Sequence, residues 1–336
     1  MRYRFEFRPY GRRFKHPLQT SHGSWDIREG IILRLTDETG RAELGEIAPI
    51  SWFGSETMKQ ALDFCRQIPA EITEETIFSI PSDLPACQFG FESAWEALTD
   101  GNTSLVGQAS RLPLPLLQGG QDAHPTRQYS YSGLLPAGEA ALHQWQTLWK
   151  QGYHTFKWKI GVAPIQEELK IFHQLTQALP AAAQVRLDAN GGLSSSEANE
   201  WLQVCDRFGI EFLEQPLPVN RLDAMLKLST QYSTPIALDE SVATLEQLEA
   251  CYQQGWREIF VIKAAISGSP SRLRQFCLKH EIDAVFSSVF ETRIGRQAAL
   301  QLAAELSHHN RAVGFGINHW FDEDDETWLE HLWKNR

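Results

Sequence analysis

Three acidic residues each close a short apolar run: Asp188 at the end of 185–188, Glu214 at the end of 212–214 and Asp239 at the end of 236–239. Lys263 closes 259–263 in the same way, and two lysines, Lys157 and Lys159, lie within 155–160. From Asp188 onward these charges are separated by 26, 25 and 24 residues. Such spacing is one strand–helix unit, so the charges fall in phase with a repeat. A charge at the end of a buried strand is costly unless it is paired or bound to a metal. Three carboxylates converging from neighbouring strands would repel one another without a cation. Oxygen-only ligation selects a hard ion, so Mg²⁺ is the natural cofactor, with Mn²⁺ as the alternative.

The lysines carry a second chemistry. Residues i and i+2 of a strand face the same side, which brings Lys157 and Lys159 together. Mutual repulsion and burial both lower an ammonium pKa, and a lysine brought toward neutrality can act as a general base. Lys263 would approach from the opposite side, across the metal. A hydrogen next to a carboxylate is a very weak acid. Its removal leaves an enediolate that a divalent cation stabilises more than the ground state. The residues therefore point to proton abstraction from a small-molecule carboxylate substrate.

These side chains need a scaffold that gathers strand ends. From about residue 128 the sequence shows eight short apolar runs, at 129–133, 155–160, 185–188, 212–214, 236–239, 259–263, 284–287 and 313–314. Amphipathic stretches fill gaps between them, at 164–178, 195–208, 221–232, 244–254 and 270–280. Eight such units make a (β/α) barrel, whose C-terminal rim carries active sites. A doubly wound parallel sheet is the alternative. Residues 1 to about 105 read as strands at 4–7, 30–35 and 42–47 in a meander, then helices at 56–68 and 88–100, which together suggest a compact α+β domain. The stretch 322–336 opens on an acidic run and reads as a solvated turn before a last helix.

Composition narrows the function. The 336 residues are 42% hydrophobic, enough for a barrel plus a smaller domain. A formal net charge of −11 with no basic stripe argues against a nucleic-acid partner. No run of 18 apolar residues is present, which argues against a membrane partner, and the N-terminus lacks an apolar signal core. Cys65, Cys87, Cys205, Cys251 and Cys277 are odd in number and form no metal-binding spacing, as expected of reduced thiols in the cytoplasm.

The segments TFKWKIG (155–161), RLDANG (186–191), FLEQPL (212–217), IALDES (236–241) and VIK (261–263) resemble the muconate-lactonizing branch of the enolase superfamily. A mandelate-racemase-like chain would carry a histidine at the seventh strand, where this chain has FSSV (286–289). REGIILRL (28–35), GEIAP (45–49), FGFESA (89–94) and SSVFETRIG (287–295) are similar to the o-succinylbenzoate synthase family within that branch. The resemblance implies a modified TIM barrel of (β/α)7β type, residues 106–319, with an N-terminal α+β capping domain, residues 1–105, on which 320–336 packs back.

It also implies roles. Lys159 would abstract the proton and then protonate the departing hydroxyl, Lys157 would tune it, and Lys263 would stabilise the anion from the other face. Asp188, Glu214 and Asp239 would hold Mg²⁺, with Asn190 and Glu240 orienting them. Ser288, Gly314 and Gly316 would meet the substrate carboxylate and succinyl tail, and loops at 16–25 and 51–54, with Trp52 and Phe53, would cover the pocket. Racemases of N-acylamino acids and dipeptide epimerases share the same lysines and metal. An epimerase would carry an acidic pair on the last barrel strand, where this chain has GFGIN (314–318). A non-catalytic binding barrel would have lost a ligand or a lysine, and all six are present.

Overall fold

The computed structural model describes residues 1–20, 23–99, 130–307, 311–316, 321 and 325–334. A long antiparallel hairpin of β1 (Arg2–Thr20) and β2 (Gly23–Thr36) begins the chain, continued by β3 (Ala42–Ile47). A three-residue strand, β4 (Glu71–Thr73), adds to the free edge of β1, so the order is β3-β2-β1-β4. The three-stranded meander thus gains a fourth member too short to leave an alternating pattern. Within the segment 16–25, expected as a loop, residues 16–20 and 23–25 instead continue the hairpin, with Leu18 opposite Trp25. The register shifts between Arg13 and Leu18. That irregularity takes up Lys15, His16 and Pro17, whose polarity and missing donor hide the strand from its sequence.

Three helices, α1 (Met58–Gln67), α2 (Glu74–Phe78) and α3 (Pro85–Thr99), accompany this sheet. The third is buried over most of its length because two glycines let backbones touch. A Cβ on Gly45 would lie 2.0 Å from the Gly90 carbonyl oxygen, and one on Gly90 would lie 2.8 Å from that of Glu46. No larger residue fits either position.

The second sheet is parallel and follows sequence order: β5 (Ser132–Leu135), β6 (Thr155–Lys159), β7 (Gln184–Asp188), β8 (Phe212–Glu214), β9 (Ile236–Leu238), β10 (Ile259–Ile262) and β11 (Ala284–Phe286). Two parallel bridges, Tyr131 to Val313 and Ser287 to Gly314, seat residues 313–314 between its first and last strands. The sheet therefore closes with 313–314 as an eighth stave, which decides for the barrel over the doubly wound sheet. Of the expected elements, residues 21–22, 100–129, 308–310, 317–320, 322–324 and 335–336 lie outside the described residues.

Helices α4 (Ala141–Lys150), α5 (Ile165–Ala178), α6 (Ser195–Phe208), α7 (Leu222–Ser229), α8 (Leu245–Gln253), the short α9 (Ala264–Ser267), α10 (Pro270–His280) and α11 (Arg293–Leu306) follow the strands. Local chemistry sets their ends. In α6, Ser194 and Glu197 cap each other's backbone and Gly209 closes the helix at φ 63°. Its Ala198, Trp201, Leu202 and Cys205 form one buried stripe.

Alternation in β6 turns Phe156 and Trp158 into this helical layer, with Trp158 6.4 Å from Phe172 and Phe172 5.5 Å from Trp201, centroid to centroid. The same alternation leaves Lys157 and Lys159 on the inner face. At the opposite end of the barrel, buried Arg186 donates to Glu211 at 2.7 Å and to the Ala312 carbonyl at 2.7 Å. Arg311 donates to Glu211 and to Asp283. A last helix, α12 (Asp325–Lys334), packs Trp328, Leu329, Leu332 and Trp333 against Tyr10, Ile32 and Ile294. No described helix is long and apolar enough to cross a membrane, and all five cysteines are buried and free.

Candidate active site

Strand register brings the charged residues side by side. Lys159 pairs with Asp188, Asp188 with Glu214, and Glu214 with Ala237 two residues before Asp239. Lys157 Nζ lies 2.8 Å from Asp188 Oδ2 and 2.6 Å from Glu214 Oε1. Lys263 Nζ pairs with Asp239. Lys159 is half-buried and has no hydrogen-bond or ion-pair partner among the described residues. Because β7, β8 and β9 lie between β6 and β10, Lys159 and Lys263 flank the carboxylates from two sides.

Electrostatics divide the lysines. Burial by itself would lower the Lys157 pKa, but Asp188, Glu214 and Asp239 together outweigh it and hold the ammonium protonated well above the ordinary lysine range. The expectation that neighbouring lysines depress each other therefore fails at Lys157, where the carboxylates are nearer. At Asp188 burial is likewise outweighed by Lys157, and the pKa falls. Burial and then the Asp188 charge push Glu214 up. Glu240 is pushed up to about 7 by burial, then by Asp239 and Asp188.

Backbone at the rim is held by residues in unusual conformations. Asn190, at φ 44°, donates from its side chain to Glu240 at 3.1 Å, and its N–H donates to Asp188 at 3.0 Å. Gln215, at φ 38° and fully buried, accepts from the Asp239 and Ser241 N–H groups at 3.0 and 3.2 Å. Its amide donates to Ser241 Oγ and the Leu217 carbonyl. Glu168 accepts from the N–H groups of Gly161, Val162 and Ala163, fixing the turn after β6. Neither Gln215 nor Glu168 was picked out by sequence. Gln215 follows Glu214 directly, yet a bulky residue at positive φ leaves no compositional signal.

The N-terminal residues supply a wall. The Phe53 ring centroid lies 4.1 Å from Lys263 Nζ, a cation–π contact. Trp52 is 41% exposed and stands edge-on to Trp25 at 5.6 Å. Leu134, the register partner of Lys157, is 43% exposed and adds apolar surface that sequence reasoning missed. Ser288 Oγ donates to Glu291 and accepts from the Phe290 N–H, so its hydroxyl is engaged within its own turn. A Cβ on Gly314 would lie 2.6 Å from Ser287 Oγ, and one on Gly316 would lie 2.9 Å from the Ser132 carbonyl oxygen. Barrel closure alone thus requires both glycines.

The donor set suits a hard divalent ion: buried carboxylates, no sulfur or imidazole, and one buried oxygen, Glu240 Oε2, with no partner. Among the described residues no three acidic side chains converge tightly enough to enclose an ion. The Lys157 ammonium stands between Asp188 and Glu214, and that of Lys263 against Asp239.

The enolase C-terminal domain-like family matches residues 140–331, and the family described as "MenC, N-terminal domain" matches 18–98. The o-succinylbenzoate synthase of Thermosynechococcus vestitus is 39% identical over 98% of each chain. The crystal structure of o-succinylbenzoate synthase from Thermosynechococcus elongatus BP-1, with magnesium in its active site, superposes with a TM-score of 0.84 at 38% identity, covering 99% of this chain and 100% of that one. The L-Ala-D/L-Glu epimerase of Bacillus subtilis is 26% identical over 90% of this chain and 84% of its own.

Proposed function

The chain belongs to the o-succinylbenzoate synthase family of the enolase superfamily, and from that premise we propose how its residues divide the work. The protein is a Mg²⁺-dependent hydro-lyase that dehydrates 2-succinyl-6-hydroxy-2,4-cyclohexadiene-1-carboxylate to o-succinylbenzoate, a step toward menaquinone or phylloquinone. Lys159 is the base. The observation that carries this is its ammonium, without a partner among the described residues, on the face shared with Lys157 and across three strands from Lys263. Lys159 takes the proton next to the carboxylate and returns it to the departing hydroxyl on the same face. Lys157 stays charged between Asp188 and Glu214 and keeps a positive field beside the base. Lys263 sets its ammonium against the anion from the far face.

Asp188, Glu214 and Asp239 would hold the Mg²⁺, with Asn190 and Glu240 as their orienting partners. When bound, the ion offsets the charge that develops on the substrate carboxylate. Phe53, Trp52 and Leu134 supply the apolar side of the pocket and exclude water. Ser288, Gly314 and Gly316 line the carboxylate and tail end. We divide the chain at about residue 105 into a capping domain, 1–105 with 320–336 against it, and the catalytic barrel, 106–319. Five buried free thiols accord with a cytoplasmic protein.

A substrate panel tests the reading. With Mg²⁺ the chain should dehydrate the succinyl cyclohexadiene acid far faster than it racemises N-succinyl amino acids or dipeptides, and EDTA should abolish turnover. Preference for a dipeptide would overturn it.

A further inference from the structure

The Arg28 guanidinium is 1% exposed and makes no ion pair among the described residues. It donates instead to four carbonyls: Glu29, Ala48, Pro49 at 3.1 Å, and Val289 at 3.0 Å. The first three belong to the N-terminal sheet and the chain leaving it. Val289 belongs to the barrel turn after β11, between Ser288 and Phe290. Four of its five N–H donors thus end on carbonyls of separate chain segments, which makes the guanidinium a junction between them.

What Arg28 joins is specific. Beyond Pro49 the chain turns back on itself, with the Ile50 N–H donating to Ser55 Oγ at 2.7 Å, and that turn carries Trp52 and Phe53. The Trp25 ring lies over the guanidinium at 5.5 Å and contacts both Trp52 and Phe290 at 5.6 Å. Glu46 makes a second tie to the same barrel turn, accepting from the N–H groups of Thr292 and Gly295 and from Thr292 Oγ. We propose that Arg28 is a positioning residue for the reaction: by clasping the Ala48–Pro49 carbonyls to that of Val289, it fixes Phe53 and its turn over the barrel mouth opposite Ser288. This rests on the functional reading above. It assigns Arg28 to substrate capture rather than to the chemical step.

The test is steady-state dehydration at saturating Mg²⁺ for wild type, Arg28→Lys and Thr292→Val, each checked for native circular dichroism. Lysine keeps the charge but reaches fewer carbonyls. Valine removes the hydroxyl tie to Glu46, and with it the cap on the Ile294 N–H, without touching Arg28. Loss of positioning should raise KM about tenfold in Arg28→Lys and about threefold in Thr292→Val, with kcat within about threefold of wild type. A folded Arg28→Lys with KM within about twofold of wild type, or with kcat lowered and KM unchanged, overturns the proposal. If Arg28→Lys does not fold, Arg28→Gln, which keeps two donors, decides, and a KM within about twofold of wild type there overturns it. An inactive wild type in the same assay contradicts the functional reading and this inference with it, so the two failures are distinguishable.

Discussion

At the residue scale, the division between two neighbouring lysines is the central fact. Lys157 is committed to Asp188 and Glu214, whereas the Lys159 side chain, two residues on, has no partner among the described residues. Replacing Lys159 by Ala should lower turnover about a thousandfold or more, within the range for a lost general base, with circular dichroism unchanged. Near-normal turnover would reassign the base. Gln215→Ala should act differently. It leaves the Asp239 and Ser241 N–H groups without an acceptor in a buried site, a loss of about 1–3 kcal/mol. Through Asp239 it should weaken Mg²⁺ binding about 10–100-fold, measurable by calorimetry. The lysines and carboxylates were legible in the sequence because a charge ending an apolar run is rare without a purpose. Gln215 was not, because its role comes from a backbone angle and from partners on another strand.

At the element scale, β6 shows how one five-residue strand serves two layers. Phe156 and Trp158 point into the helices while the lysines between and beyond them point into the barrel. Trp158→Ala would open a cavity beside Phe172 and Trp201 and should destabilise the fold by about 3–5 kcal/mol in urea titration. A loss under about 1 kcal/mol would mean that the aromatic layer does not anchor the strand. Elements with a strong period were readable: α6 and α10 match the expected 195–208 and 270–280, and β8 matches 212–214. The outer part of the hairpin was not, because its pairing crosses a register shift, and β4 was too short to show a pattern.

At the scale of the whole molecule, closure of the barrel is what brings distant strand ends to one mouth. Among the described residues the stave at 313–314 pairs through two bridges, and the Arg186–Glu211–Arg311–Asp283 network ties its lower end to β7, β8 and β11. Arg186→Ala would leave the partly buried Glu211 carboxylate with Arg311 and the buried Ala312 carbonyl without its Arg186 donor, and should cost about 1–3 kcal/mol, read from the urea midpoint. A cost near zero would show that closure does not depend on this network. The parallel repeat made the barrel legible, but no local pattern announced the clasp of Arg28 and Glu46 on the 288–295 segment, since its partners lie hundreds of residues apart. Carboxylates from three adjacent staves should share one ion, with an amine on each flank. The most direct measurement is a crystal structure grown with Mg²⁺ and o-succinylbenzoate. It should show one ion ligated by Asp188, Glu214 and Asp239, and the product ring between Lys159 and Lys263. An ion bound elsewhere, or both lysines on the same face of the ring, would contradict it.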